Sequence, residues 1–357
     1  VADVRPFRAV TYARPSADVT APPYDVLDEP ARAELRARDP HNVVRLTSDR
    51  DEAAAGRRFR EWLDAGVLVR DEAPGVWLLE QDVPGAAAGG AARVRTGVVA
   101  SLRVQPYSDR VVLPHERTHA RTKSRRLRLL RAARAQLEPI LLLYAGPPPL
   151  AVPDREPDLE AGDSRLWRLP GGQGVEDAFA ATQLLIADGH HRYETALAFA
   201  EEAGPDRMLA VLVSTEDPGL AILPTHRVFA GRTDIAPPGE PYAGAEEALA
   251  ALATESFDHS AAVLVDPAGA RLVRGAAGEL DVELVDGFGR EGLTYTADGA
   301  EAVRRVRAGE AERAFLLRPT RIEDVFDHAR RGSTMPPKST YFFPKLLSGL
   351  LFQPVEP

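Results

Sequence analysis

The densest chemistry in the chain lies at residues 186–195, Ile-Ala-Asp-Gly-His-His-Arg-Tyr-Glu-Thr. An apolar run at 184–186 enters Asp188-Gly189, and a helical pattern starts at His191. Glycine lets the backbone turn sharply and lets a ligand come close. The helix that follows points its unpaired N–H groups, and the positive end of its dipole, back at that turn. Anions bind at such ends. His190, His191 and Arg192 add side-chain donors suited to phosphate oxygens. Asp188 has the chemistry to orient a histidine, hold a magnesium ion or accept a hydroxyl proton. In the chemically quiet alternative, Asp188 caps the helix and the histidines are ordinary core or surface residues. Two histidines and an arginine crowded at a helix start are costly without a partner, which favours the site.

Three further tracts carry polar groups in suggestive patterns. Residues 115–134 hold eight Lys/Arg against one acid, Glu116, in a chain whose net charge is −9. Arginine planes suit bidentate phosphate recognition. Arg117, Thr118 and Lys123 are therefore candidates for a polyphosphate cradle, with Glu116 as a base or metal ligand. The competing reading is a solvated face on an amphipathic helix. In the tail, Lys338, Ser339 and Thr340 offer an ammonium and two hydroxyls beside a rigid Pro pair, and 341–343 are aromatic. Near the start, Tyr24 and Asp25 on a proline-bounded turn, with Asn42 and Arg45 on a short strand, are candidates for lining a substrate pocket, against the simpler reading of a helix cap and an ordinary strand.

Several classes are excluded. The chain contains no cysteine, which removes disulfides, thiolate catalysis and Cys-ligated zinc and fits a cytoplasmic protein. No apolar run approaches the roughly 18 residues of a membrane span, and the first residues lack the pattern of a signal peptide. Residues 287–292 spell Gly-Phe-Gly-Arg-Glu-Gly, but the β-like Leu293-Thr294-Tyr295-Thr296 follows where a dinucleotide fingerprint needs a helix. There is no P-loop, and the histidine spacing matches no zinc helix pattern. The acidic balance argues against a general nucleic-acid coat, although residues 121–134 leave nucleic-acid binding open.

Around these residues the patterning predicts an α+β protein. Helices are expected after Asp28 (Asp28 capping, Pro30 in the first turn) and at 52–65, 124–137, 175–181, 191–203, 245–254, 300–307 and 322–330. Strands are expected at 7–12, 42–47, 76–81, 93–104, 139–144, 183–187, 208–214, 262–265, 271–274, 281–285 and 314–317. Residues 84–92 read as a hairpin tip without chemistry. Hairpin-like pairs among strands that precede helices favour a mixed sheet with flanking helices over a purely parallel one. The Pro/Gly-rich stretch at 237–244 divides the chain into 1–236, a nucleotide- or phosphate-binding core, and 237–357, a second α+β region whose tail returns to the site.

These blocks are also familiar. PPYDV at 22–26, NVVRL at 42–46, LPHERT at 113–118, LRLLRAARAQLEPI at 127–140, IADGHHRYETAL at 186–197 and MPPKSTYFFPKLLSGL at 335–350 resemble, in order, the bacterial and archaeal family called domain of unknown function 1015 (DUF1015). The DGHHR block is further similar to the phosphate-binding motif of the ParB/sulfiredoxin superfamily, which includes the free-serine kinases. That resemblance implies a ParB/sulfiredoxin-like core, ATP or ADP with Mg²⁺ as cofactors, and phosphoryl transfer to the hydroxyl of a small metabolite, L-serine first. It implies Gly189, His190, His191 and Arg192 as phosphate ligands, and Asp188 as holding Mg²⁺ or helping to position the acceptor. Asp188, His190, His191 and Glu116 are the implied catalytic residues, with Asp25 the rival of Glu116 as base. The sulfiredoxin branch needs a cysteine and is excluded. A nucleotide-dependent regulatory or nucleic-acid-binding module is the alternative, followed by a phosphatase or nuclease. The expected partners are nucleotide and a small substrate, with no membrane; a homodimer is left open.

Overall fold

The computed structural model describes all residues except 50, 86–89, 119, 232–236 and 356–357; the side chains of 120, 121 and 203 are also outside the description. The described residues form two compact units, Val1–Ala221 with Pro344–Pro357, and Ile222–Phe343. The division falls some way before the composition change at 237–244, which lies inside the second unit, next to residues outside the description. The fold is α+β, as the patterning implies.

The first unit is built on a nine-stranded mixed sheet. Its neighbours run in the order Val112–Leu113, Leu184–Asp188, Ile140–Tyr144, Arg207–Ser214, Arg93–Arg103, Gly75–Val83, Ser164–Pro170 and Leu159–Ala161, and Val4–Arg5 pairs with Arg93–Arg103. Two pairings are parallel, Val112–Leu113 with Leu184–Asp188 and Ile140–Tyr144 with Arg207–Ser214; the others are antiparallel. The strand Ile140–Tyr144 is buried at all five positions, as expected when both faces of a sheet are covered. Val98, Ala100, Ile140, Leu142, Ala210 and Leu212 put one face of the sheet into the main core, where Tyr193 and Ala196 of the helix His190–Ala203 pack on it.

A second lobe of this unit gathers the helices Glu29–Arg38, Val44–Thr47 and Glu52–Asp64 around Phe59, Trp62 and Phe352, with the basic helix Ala120–Ala133 contributing Leu129 and Ala133. Local chemistry sets its helix ends. Asp28 accepts the Ala31 N–H and Asp51 accepts the Ala54 N–H, each filling an orphan donor of the first turn. The basic helix begins at Ala120 and stops at Ala133, four residues earlier at each end than its apolar spacing suggests.

Two expected strands are helices. Residues 44–47 form a helical turn, with the Asn42 side-chain oxygen accepting the Val44 N–H in a local bond that competes with strand pairing despite the β-branched composition. Asp281–Asp286 is a helix because acids occupy its first turn and Glu283 reaches back to the Leu280 N–H. The expected hairpin tip includes 86–89 and lies outside the described residues.

In the second unit a six-stranded antiparallel sheet runs Glu240–Tyr242, Gly269–Ala277, His259–Asp266, Arg313–Leu316, His226–Phe229 and Leu293–Thr296. Residues from the helices Ala245–Thr254 and Gly299–Arg307 join one core cluster, and Asp281–Asp286 supplies the other.

Candidate functional site

The parallel pairing of Val112–Leu113 with Leu184–Asp188 explains why two tracts far apart in sequence meet. The strands end on the same side of the sheet, so residues 114–118 and 188–191 leave it together. Gly189 then turns with φ +101°, a left-handed conformation suited to glycine, and a Cβ placed there would lie 2.5 Å from Ile140 Cγ2. Gly189 is the cap residue of the helix His190–Ala203, and no side chain caps it. Asp188 is therefore not a helix cap. The first helical bond runs from the Tyr193 N–H to the Gly189 carbonyl, so the N–H groups of His190, His191 and Arg192 precede the intrahelical ladder.

Asp188 is held between two cations. Lys345 Nζ lies 2.7 Å from Oδ1, and Arg192 donates through Nη2 to Oδ2 at 2.5 Å. Burial opposes ionisation of this carboxyl, but Lys345 and Arg192 overcome it and hold it well below the usual carboxylate range. Arg192 is buried and also donates to the Pro139 carbonyl, so its guanidinium supports the turn from inside. Lys345 joins the candidate site through this ion pair, and sequence reasoning missed it. It sits in a long tail block whose named candidates were Lys338, Ser339 and Thr340. Those three belong to the second unit, with Ser339 buried and bonded to the Pro336 carbonyl.

His190 is buried, and its Nε2 accepts the backbone N–H of His115 at 3.2 Å. The two imidazoles meet edge to face with centroids 4.6 Å apart. His115 Nδ1 donates to the Ile186 carbonyl at 2.7 Å. Each bond selects a tautomer: the neutral ring of His190 carries its proton on Nδ1, and that of His115 also on Nδ1. Burial drives both rings towards the neutral form, His115 to about 4 and His190 well below its ordinary value. His190 is thus a neutral ring whose Nε2 is used inside the protein, while His191 beside it is half-buried. His115 was legible as part of the basic tract, yet nothing in its spacing signalled this pairing.

Mg²⁺, expected at Asp188, does not fit the donor set there. Both carboxylate oxygens face cations, and among the described residues no group of three or more His, Asp or Glu side chains is placed to share a metal ion.

The basic helix is neutralised by acids from other elements. Thr118 Oγ1 and Lys123 Nζ both donate to Glu194 Oε2 at 2.7 Å. Arg128 meets Glu52 at 3.1 Å, and Arg131 meets Glu202 at 2.6 Å. Arg126 pairs with Glu138 in the interior, the two side chains being 9% and 1% exposed, and lies 3.8 Å from the centroid of the Tyr24 ring. Burial lowers the Arg126 guanidinium to about 10. Acids are thus present at this face, but they come from elsewhere in the chain. Glu116 is half-buried and Arg117 exposed, on the segment between His115 and this helix.

A cavity of about 650 Å³ opens along the basic helix, lined among others by Tyr24, Asp25, Arg32, Glu52, Arg125 and Arg126. A smaller one shares Arg126 and Leu129 with it and reaches Glu138, Arg192 and Thr195. The larger cavity borders the Tyr24–Asp25 turn, and the smaller borders the first turns of the helix His190–Ala203 through Arg192 and Thr195. The other two substrate candidates behave differently. Asn42 is fully buried, with its amide donating to the Asp18 and Thr20 carbonyls and accepting from Val44, so it holds the backbone together. Arg45 donates to the Arg36 carbonyl at 2.6 Å.

Comparison with known proteins decides the family. The model of the family described as "Protein of unknown function (DUF1015)" matches residues 4–270. The chain belongs to the DUF1015 family. No match is found among curated proteins. Solved structures similar to this DUF1015 chain include a conserved hypothetical protein from Pyrococcus furiosus, 18% identical over 71% of this chain and 95% of that one, TM-score 0.39. A free serine kinase in complex with AMP is 17% identical over 71% and 92%, TM-score 0.40. SbnI with a C-terminal truncation from Staphylococcus aureus is 13% identical over 70% and 85%, TM-score 0.40. Among the described residues, no helix of this DUF1015 protein is long and apolar enough to cross a membrane.

Proposed function

We propose that this protein is a nucleotide-dependent phosphotransferase that uses ATP or ADP to phosphorylate the hydroxyl of a small metabolite, L-serine being the first candidate. One observation carries the reading: the helix His190–Ala203 starts at a left-handed Gly189 with no side-chain cap, directly after a carboxylate held ionised by two cations. Nucleotide phosphate oxygens take the N–H groups of His190, His191 and Arg192, where the helix dipole adds to the bonding. The sequence likeness of DGHHR to phosphate-binding motifs supports the same placement.

Phosphoryl transfer asks for positioning and for neutralisation of charge on the moving group. Lys345 and Arg192 supply positive charge beside the turn. The acceptor enters by the cavity at Tyr24 and Asp25. Its hydroxyl proton passes to a carboxylate, Glu116 being the nominee and Asp25 the rival; its oxygen bonds the terminal phosphorus, and the bond to the leaving phosphate oxygen breaks. No step is routed through a metal.

The nucleic-acid alternative is weakened by the basic helix, whose Lys123, Arg126, Arg128 and Arg131 are spent on Glu194, Glu138, Glu52 and Glu202. A nucleotide-consumption screen across amino acids and polyols tests the proposal. One acceptor is expected to accelerate turnover at least tenfold over water. Salt-sensitive DNA or RNA binding with no acceptor-dependent turnover contradicts it.

A further inference from the structure

Thr118 is half-buried on the segment that follows the strand Val112–Leu113, and its Oγ1 donates to Glu194 Oε2 at 2.7 Å. A threonine hydroxyl is a weak nucleophile until a neighbouring base takes its proton. This hydrogen bond points the proton at a carboxylate and leaves the oxygen lone pairs for another atom. Lys123 Nζ lies 2.7 Å from the same carboxylate oxygen, so an ammonium also stands beside the hydroxyl. The Lys123 and Glu194 side chains are 38% and 21% exposed, which leaves the group within reach of a ligand.

The placement of this cluster sets what it can react with. Glu194 follows His190 by one turn on the same face of the helix His190–Ala203, about 5.4 Å along the axis. Thr118 comes shortly after His115, whose ring packs edge to face on that of His190 with centroids 4.6 Å apart. Two separate connections therefore bring the Thr118 hydroxyl beside the first turns of the helix whose opening N–H groups are proposed to take nucleotide phosphates. Ser348, Ser260 and Thr296 also donate to carboxylates but lack this setting. Ser348, on Glu138, is 1% exposed, and Ser260, on Glu279, and Thr296, on Glu301, belong to the second unit.

We propose that Thr118 is a self-phosphorylation site, with Glu194 as its base. Thr118 Oγ1 bonds the terminal phosphorus of ATP, its proton passes to Glu194 Oε2, the bond from that phosphorus to the bridging oxygen breaks, and ADP leaves. Lys123 neutralises charge on the moving group. The product is a phosphate ester on the chain, which carries about −1.5 to −2 charge at neutral pH. That charge repels the phosphates of a second nucleotide at the Gly189 turn, so the modification restrains nucleotide binding. The inference rests on the reading of that turn as a nucleotide-phosphate site, and is independent of which small metabolite is the acceptor.

The test incubates the full chain with ATP and locates phosphate by peptide mass spectrometry. Phosphate is expected on Thr118, at a rate per chain that does not change on dilution, as an intramolecular step requires and a trace of another kinase does not allow. Glu194→Gln is expected to slow that rate at least tenfold, and Thr118→Ser, which keeps a hydroxyl, still to take phosphate at the same position. The phosphorylated chain is expected to bind ADP at least tenfold more weakly by calorimetry. A bare Thr118, or a rate that falls in proportion to dilution, overturns the inference, as does an unchanged rate in a folded Glu194→Gln. Undiminished ADP affinity after phosphorylation overturns the restraint on binding. The wild-type result needs no variant, so it decides even where Glu194→Gln fails to fold. If ADP binds and an acceptor is phosphorylated while Thr118 stays bare, the inference falls and the phosphotransfer reading stands. If Thr118 takes phosphate and no acceptor accelerates turnover, the inference stands and the small-metabolite reading falls.

Discussion

Protonation at the site follows from two opposite burial outcomes. Asp188 is paired, and its folded value lies below that of an open chain. It therefore adds stability above the ordinary carboxylate value near 4, and that contribution is lost as pH falls through the lower folded value. Lys345→Met removes one of the two cations, so the folded value rises and acid unfolding is expected to begin at higher pH than in the wild type. His115 behaves the other way. It titrates near 4 in the fold against about 6.5 in an open chain, so the unfolded state binds protons first and stability falls between those values, by roughly 3 kcal/mol in total. His115→Asn, which keeps a donor for the Ile186 carbonyl, is expected to flatten thermal stability against pH over that interval. An unchanged slope would assign the acid sensitivity to other groups. Arg192→Ala is expected to abolish ADP binding by calorimetry, and also to lower thermal stability because it strips a partner from Asp188 and from the Pro139 carbonyl. At this scale the sequence offered Asp188 to Arg192 as candidates, since their chemistry is contiguous. It did not show Lys345, His115 or Glu194, whose roles come from partners more than 70 positions away in sequence.

The elements that carry these groups are positioned by close packing and by buried pairs. The helix Glu52–Asp64 approaches the basic helix so closely that a Cβ on Gly56 would collide with the Ala132 carbonyl. Gly56→Ala is expected to force the helices apart and cost about 1–3 kcal/mol by chemical denaturation. The Arg126–Glu138 pair ties the basic helix to the segment before the strand Ile140–Tyr144, with Ser348 Oγ and the Tyr24 N–H also donating to Glu138. Arg126→Met leaves that carboxylate unpaired and is expected to cost about 3–5 kcal/mol, and adding Glu138→Gln is expected to recover a large part of it. No recovery in the double variant would show that Arg126 acts through packing on Tyr24 instead. Element types were legible from a cap at Asp28, and from periodicity alone in the helices Ala245–Thr254 and Ile322–Arg330, which no side chain caps. They were misread at 42–47 and 281–285, where a single side chain bonding to nearby backbone outweighed composition.

At the scale of the molecule, the mixed sheet and the α+β class were readable from hairpin-like pairs among strands that precede helices. The strand order was not, because register depends on partners that local patterning cannot name. The first unit is discontinuous in sequence and takes Pro344–Pro357 along with Val1–Ala221, which is how Lys345 comes to face Asp188. The same unit contains the helix start and both cavities, so binding and transfer are proposed to be a property of that unit. The most direct test of the central claim is a crystal of the full chain soaked with ADP. The account predicts phosphate oxygens about 2.7–3.2 Å from the backbone nitrogens of His190, His191 and Arg192. Well-defined ADP whose phosphates lie away from the turn at Gly189, or no ADP at millimolar concentration, would contradict it.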